Sequence, residues 1–271
     1  MHPICDGTGT AAAGRTGPPA VPAVCAEHPP EGSGTQPVAP GVQDGAMELI
    51  FIRHGQPEWE RDGRSIDDPQ LTEIGLQQAQ LLGRAFAGQQ ADRILVSPLV
   101  RAQQTAAPII EALGIEPETH DWLAEITAPV WQGTPTEVVA EVFAQSRLRP
   151  LEEQWLGIPG GETFHDFHDR VTGGLIEFLS GIGCYRYNGF PPLWQLESPG
   201  PRIIIVAHSG TDAVCLGHLL GIDPVPWEWE RFVAFHASVS VVRPIDIAGR
   251  HSFSLYRFSD LSHLPESLHT R

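Results

Sequence analysis

The sequence predicts an α/β protein, a three-layer α/β/α sandwich with a mostly parallel central sheet. Three observations carry this. Apolar runs of strand length at 49–52, 93–97 and 202–206 alternate with stretches of helical periodicity, the pattern of a sheet covered on both faces. Two of the runs end alike, in Arg53-His54-Gly55 and in His208-Ser209-Gly210. In a parallel sheet ligands sit beyond the carboxyl ends of the strands, so these residues would point to where chemistry is done. At 271 residues the chain is long enough to bury a full core.

The elements follow in chain order. Residues 1–46 are rich in Gly, Pro, Ala and Thr and nearly free of large apolar side chains. Such a segment cannot offset its ordering entropy, so a disordered tail is expected there, with the folded domain at 47–271. Met47 directly precedes the first strand and is the expected true start. No basic start followed by an apolar stretch marks a secretory signal. The run at 49–52 is the first strand, and Gly55 lets the chain turn sharply after it. The polar stretch 56–70, with Pro57, Gly63 and Pro69, reads as a loop over the carboxyl end.

Thr72 is the expected N-cap of a helix in which Leu76, Ala79, Leu82 or Leu81, and Ala85 or Phe86 recur at helical spacing. After the strand at 93–97, Ser97-Pro98 is expected to cap and start the next helix. Helices follow at 136–147 and 162–179, the second capped by Thr163. His165 and His168 share a face of it but lack a companion ligand motif, and they read as surface histidines. The aromatic, Pro-rich stretch 181–201 is long for a connection and fits either a lid or a packed surface loop. The strand at 202–206 leads into a helix at 211–220, whose N-terminus would offer N–H groups to an anion. Strands at 237–243 and 252–258 close the domain.

Composition removes several classes of function. With 33 Asp plus Glu against 17 Lys plus Arg, the net charge is −16, which argues against a nucleic-acid binder. A small phosphorylated substrate remains compatible, because a few converging arginines make one pocket locally positive. All the basic residues are arginine, which rules out a P-loop lysine, a Schiff-base lysine or a lysine base. No apolar run reaches a membrane span of roughly 18–20 residues. Cys5, Cys25, Cys184 and Cys215 show no paired spacing, which reads as free thiols in a reducing cytoplasm.

Four stretches together resemble the histidine phosphatase (phosphoglycerate mutase-like) superfamily, over residues 48 to about 260. They are Arg53-His54-Gly55 after a strand, Leu71-Thr72-Glu73-x-Gly75-x-x-Gln78-Ala79, Ser97-Pro98-Leu99-Val100-Arg101-Ala102-Gln103-Gln104-Thr105-Ala106, and Val206-Ala207-His208-Ser209-Gly210. Gly160-Gly161-Glu162-Thr163 resembles a further family turn before a helix. The resemblance implies a phosphoglycerate mutase-like fold and a phosphoryl site needing no metal or organic cofactor. In it His54 would be the nucleophile, with its second ring nitrogen held by a backbone carbonyl. Arg53, Arg101 and His208 would hold the phosphoryl oxygens, with Gln56 and Ser209 beside them.

Glu125, in Trp122-Leu123-Ala124-Glu125, matches the family's acid; Glu116 and Asp121 lie near enough in sequence to compete. One departure stands out: Glu60 occupies the place of a family asparagine that helps bind phosphate. No Arg-Tyr-Gly run followed by lysines, the mark of the mutases, is present. The resemblance therefore implies a phosphomonoester hydrolase acting on a small phosphorylated metabolite. A mutase-like phosphotransferase and a non-catalytic phospho-ligand-binding domain are the alternatives. The substrate is not legible, and oligomeric state is open, a homodimer among the options.

Overall fold

The computed structural model describes residues 47–187, 189, 192–197 and 200–271; the expected tail at 1–46, with Cys5 and Cys25, lies outside them. The elements are β1 (Glu48–Arg53), β2 (Glu60–Arg61), β3 (Arg64–Ser65), α1 (Glu73–Phe86), β4 (Arg93–Val96), α2 (Val100–Leu113), β5 (Pro117–Thr119), a 3-10 turn (Asp121–Leu123), α3 (Thr136–Ser146), α4 (Leu151–Gln154) and α5 (Phe164–Gly181). They continue with β6 (Cys184–Arg186), β7 (Trp194–Leu196), β8 (Arg202–Ala207), α6 (Ser209–Leu220), α7 (Glu228–Arg231), β9 (Val239–Ile247), β10 (Arg250–Asp260) and a final 3-10 turn (Glu266–Leu268).

One sheet runs in the order β5-β4-β8-β1-β9-β10-β7-β6. The half from β5 to β1 is parallel, and the half from β1 to β6 is antiparallel. The parallel half holds the apolar runs recognised in the sequence. β1 and β8 lie side by side in register, with Arg53 opposite Ala207, so His54 and His208 emerge next to each other.

The side chains of these strands alternate between two cores, as the two-residue period of a strand requires. Leu49, Phe51, Leu95, Ile203 and Ile205 face Phe167, Val171, Leu175 of α5 and Cys215, Leu216, Leu219 of α6. Ile50, Ile52, Ile94, Val96, Ile204 and Val206 face Leu82 and Phe86 of α1 and Ala102, Ala106 and Ile109 of α2. Three layers result. Runs buried on both faces carry no polar alternation, which is why they read as continuous apolar stretches.

The predicted caps at Thr72 and Thr163 form, accepting N–H bonds from Gly75 and Asp166. Ser97 does not cap α2: the N-cap is Leu99, and the Ser97 hydroxyl is used in the site below. The described part of 181–201, expected as a lid or a packed surface loop, is packed but strand-forming. It forms β6 and β7, which extend the antiparallel edge and bury Trp194, well removed in the sheet from β1. Residues 188, 190, 191, 198 and 199 of that stretch lie outside the described residues. Among the described residues no helix is long and apolar enough to cross a membrane.

Candidate active site

The site lies at the carboxyl ends of β1, β4 and β8. The ring centroids of His54 and His208 are 5.1 Å apart, and that of His236 lies 5.6 Å from His54. His54 is buried, and its Nδ1 is 2.7 Å from the Gly55 carbonyl. A carbonyl only accepts, so Nδ1 carries the hydrogen and Nε2 keeps the lone pair. Burial, reinforced by His208, Arg101 and Arg53, pushes the His54 pKa well below its ordinary value, so the ring is neutral at pH 7. Gly55 is required by close approach: a Cβ there would stand 2.8 Å from the Gly75 carbonyl on α1. Its N–H donates to Thr105 Oγ1 of α2 at 2.9 Å, which ties the loop after β1 to that helix.

His208 follows β8 and is fully buried. Its Nε2 lies 2.7 Å from Ser97 Oγ, and its Nδ1 is buried with no partner. Burial beside Arg101, Arg53 and Arg170 drives its pKa well down as well. A buried ring nitrogen without a partner is costly unless a ligand satisfies it.

Two guanidinium groups flank the rings. Arg53 donates from Nη1 to the Ala234 carbonyl at 2.6 Å and from Nη2 to His236 Nε2 at 3.1 Å. Arg101, in the first turn of α2, donates to Asp68 Oδ1 at 3.4 Å, and its Cζ lies 4.8 Å from the Trp59 ring centroid. Each keeps a buried Nε without a partner. Desolvation lowers both pKa values, that of Arg53 to about 10, so both remain cations at neutral pH. The loop 56–70 does cover the site, through Trp59 and Asp68.

Glu125 is brought to this cluster, whereas Glu116 and Asp121 are exposed. Its Oε2 accepts from the Gly210 N–H at 2.8 Å and its Oε1 from its neighbour Ile126 at 3.0 Å. The N-terminus of α6 therefore spends the Gly210 N–H on Glu125 rather than on an incoming anion. Arg170 of α5 shapes the loop beneath it, donating to the carbonyls of Trp122 at 3.2 Å and Ala124 at 3.1 Å while paired with Glu162 at 2.8 Å. This is the structural use of Glu162 in the Gly-Gly-Glu-Thr turn.

Gln56 sits at the rim, its Oε1 accepting from Thr72 Oγ1 at 2.8 Å and its N–H donating to Gln78 Oε1 at 2.8 Å. Ser209, half-buried, opens α6 beside His208. Glu60 lies exposed in β2.

A family model matches residues 49–251, that of the histidine phosphatase superfamily, branch 1. The chain belongs to this superfamily. Among its relatives, phosphoserine phosphatase 1 of Hydrogenobacter thermophilus is 31% identical over 199 residues, covering 72% of this chain and 86% of that one. A protein named "Probable phosphoglycerate mutase GpmB" of Yersinia enterocolitica is 28% identical over 185 residues, covering 66% of this chain and 77% of that one. Among solved structures, mycobacterial glucosyl-3-phosphoglycerate phosphatase superposes with a TM-score of 0.60 at 23% identity, over 79% of this chain and 99% of that one. The last supports the phosphoglycerate mutase-like fold.

Sequence reasoning missed several residues of this histidine phosphatase site. Ser97 and Thr105 stood inside a recognised motif, but Ser97 was read as a cap and Thr105 was given no role. Gln78 was used only to register the family. Arg170, Asp212 and His236 gave no local signal, because each matters through a partner distant in sequence. Asp212 is buried on α6 with Oδ1 unpartnered, and desolvation together with Glu125 raises its pKa well above the usual carboxylate range. His165 is exposed, as the sequence reading expected, and stacks on Trp155 at 4.5 Å. Among the described residues no group of three or more His, Cys, Asp or Glu side chains converges as a metal-binding set.

Proposed function

We propose that the chain is a phosphomonoester hydrolase that works through a phosphohistidine at His54 and needs no metal, acting on a small phosphorylated metabolite. The observation that carries this is the His54 imidazole, neutral, fixed at Nδ1 by the Gly55 carbonyl, and flanked by Arg53, Arg101 and His208. Its Nε2 lone pair attacks phosphorus while the bond to the leaving oxygen breaks. Arg53, Arg101 and the Nδ1 of His208 donate to the three equatorial oxygens, with Gln56 and Ser209 beside them, and the fixed positive charge of the two arginines serves where other phosphoryl-transfer sites use a metal.

Glu125 gives a proton to the leaving oxygen. In the second half it takes one from water, which attacks the phosphohistidine and releases phosphate. The two fixed arginines suit bidentate oxyanion binding better than lysines would.

The relatives carry both phosphatase and mutase names. The absence of lysine and of a mutase-like Arg-Tyr-Gly run supports hydrolysis. The test is phosphate release from a panel of esters, phosphoserine and an aryl phosphate included, with and without chelator. Chelator-resistant release that disappears in His54→Ala is the expected result. Transfer of the phosphoryl group to a second acceptor molecule would instead establish a transferase. A folded wild type that releases nothing from any ester would point to a binding domain.

A further inference from the structure

Arg53 is held by neutral groups. Among the described residues no carboxylate lies within ion-pair distance of its guanidinium; its partners are the Ala234 carbonyl and His236 Nε2. An arginine only donates, so His236 Nε2 is the acceptor and the ring hydrogen sits on Nδ1. That Nδ1 lies 3.0 Å from Thr270 Oγ1. The same hydroxyl oxygen accepts from Gln78 Nε2 at 2.9 Å, and Gln78 also donates to the Leu268 carbonyl at 2.7 Å. Gln78 is fully buried, and its Oε1 receives the Gln56 N–H. The His236 N–H donates to the Thr270 carbonyl at 3.0 Å.

These bonds form a closed ring. It runs from Arg53 to His236, Thr270, Gln78 and Gln56, and the backbone through His54 and Gly55 completes it. The proposed nucleophile thus lies on the short arc between two residues that both depend on one hydroxyl from the segment after the last 3-10 turn.

We propose that His236 and Thr270 are positioning residues for phosphoryl transfer: Thr270 fixes the His236 tautomer that accepts from Arg53, and so aims the Arg53 guanidinium at the substrate. The proposal rests on the assignment of Arg53 to the phosphoryl group. A neutral acceptor is the right partner for that task. A carboxylate would orient Arg53 and also cancel its charge, whereas an imidazole orients it and leaves the charge for the ligand. Burial beside Arg53 lowers the His236 pKa to about 3, so the ring stays an acceptor at neutral pH.

The test compares Thr270→Val, which keeps shape and loses the hydroxyl, with Thr270→Ser, which keeps the hydroxyl. Orthovanadate binding by calorimetry, kcat and KM for one ester, and Tm are measured on the full chain. Loss of a buried hydrogen bond corresponds to about a tenfold change. Thr270→Val is therefore expected to weaken orthovanadate and to lower kcat/KM by about tenfold, with Thr270→Ser close to wild type. His236→Gln, which retains an acceptor, is expected to outperform His236→Leu on the same readouts, and this pair decides the matter if Thr270→Val does not fold.

A folded Thr270→Val with wild-type binding and turnover would overturn the proposal, as would equal defects in the valine and serine variants. Arg53→Ala serves as the reference. If it binds orthovanadate as tightly as wild type, the assignment of Arg53 fails; if it loses binding while the Thr270 pair stays level, only the positioning role fails.

Discussion

Ser97 and His208 close the ends of two neighbouring parallel strands, and the serine hydroxyl lies 2.7 Å from the His208 Nε2. Both residues are fully buried. The relationship leaves open the tautomer that the proposed function needs. With its Nε2 facing a hydroxyl that donates as readily as it accepts, its Nδ1 is free to carry the hydrogen toward a phosphoryl oxygen. Ser97→Ala removes that hydroxyl and leaves a buried nitrogen unpaired, at a cost of about 1–3 kcal/mol. The expected outcome is a lower Tm and a kcat reduced by about tenfold, read by calorimetry and steady-state kinetics. An alanine variant with unchanged turnover would show that the tautomer of His208 is set by something else.

Glu125 should reveal itself through the leaving group. General acid catalysis contributes about 10²- to 10⁴-fold. Glu125→Gln is expected to lose that much kcat on an alkyl phosphate and far less on an aryl phosphate, whose leaving oxygen needs little protonation. Gly210→Ala offers a second route to the same question, because a methyl group there would collide with Glu125 Oε1. It should show the same dependence on leaving group, more weakly. Equal losses on both esters in Glu125→Gln would remove the residue from the acid role.

Arg101 is held against Trp59 on one side and Asp68 on the other, so its planar fork has a defined orientation. Lysine keeps the charge but has neither the fork nor the flat face. Arg101→Lys is expected to raise KM and lower kcat together, for a loss of about a hundredfold or more in kcat/KM from two charge-assisted bonds. Trp59→Ala should be milder and act mainly on KM. Steady-state kinetics on a single ester separate the two effects.

Stability should fall as the solution is acidified below about pH 6.5. His54, His208 and His236 are all neutral in the folded chain, with pKa values pushed down by burial and by the arginines around them. In the unfolded chain each protonates near its ordinary value. Below that pH the unfolded state therefore binds protons the folded state does not. Each such group can remove up to about 1.4 kcal/mol per pH unit. Asp212 works in the opposite sense, since its raised pKa lets the folded state hold a proton that the unfolded state has lost. Urea midpoints at pH 7.5, 6 and 5 should therefore decline, more steeply in Asp212→Asn and less steeply in His236→Gln. A wild-type midpoint that rises toward pH 5 would contradict this balance.

Much of the architecture was legible in the chain. The run Leu49-Ile50-Phe51-Ile52 and the run Ile203-Ile204-Ile205-Val206 are buried on both faces, and only a central strand of a layered sheet demands that. The caps at Thr72 and Thr163 were legible because a cap is a local bond, made within three residues. His54 and His208 were legible as residues at the ends of such strands, and Arg53 and Arg101 joined them through the family motifs that surround them.

The rest was decided by contacts between distant parts of the chain. Nothing near Ser97 says that its hydroxyl turns from the following helix to a histidine on the adjacent strand. Glu125, rather than Glu116 or Asp121, faces the cluster: Arg170, on a later helix, holds its loop, and its carboxylate accepts the Gly210 N–H. His236 and Thr270 show no pattern in sequence, and they meet Arg53 and Gln78 only when the last segment packs beside the first strand. Periodicity and capping are short-range, so the sequence by itself determined the layers and the strand ends, and its family motifs marked the cationic residues. Which hydrogen a ring carries and which carboxylate faces the site depend on partners brought in from elsewhere, and only the tertiary structure decided them.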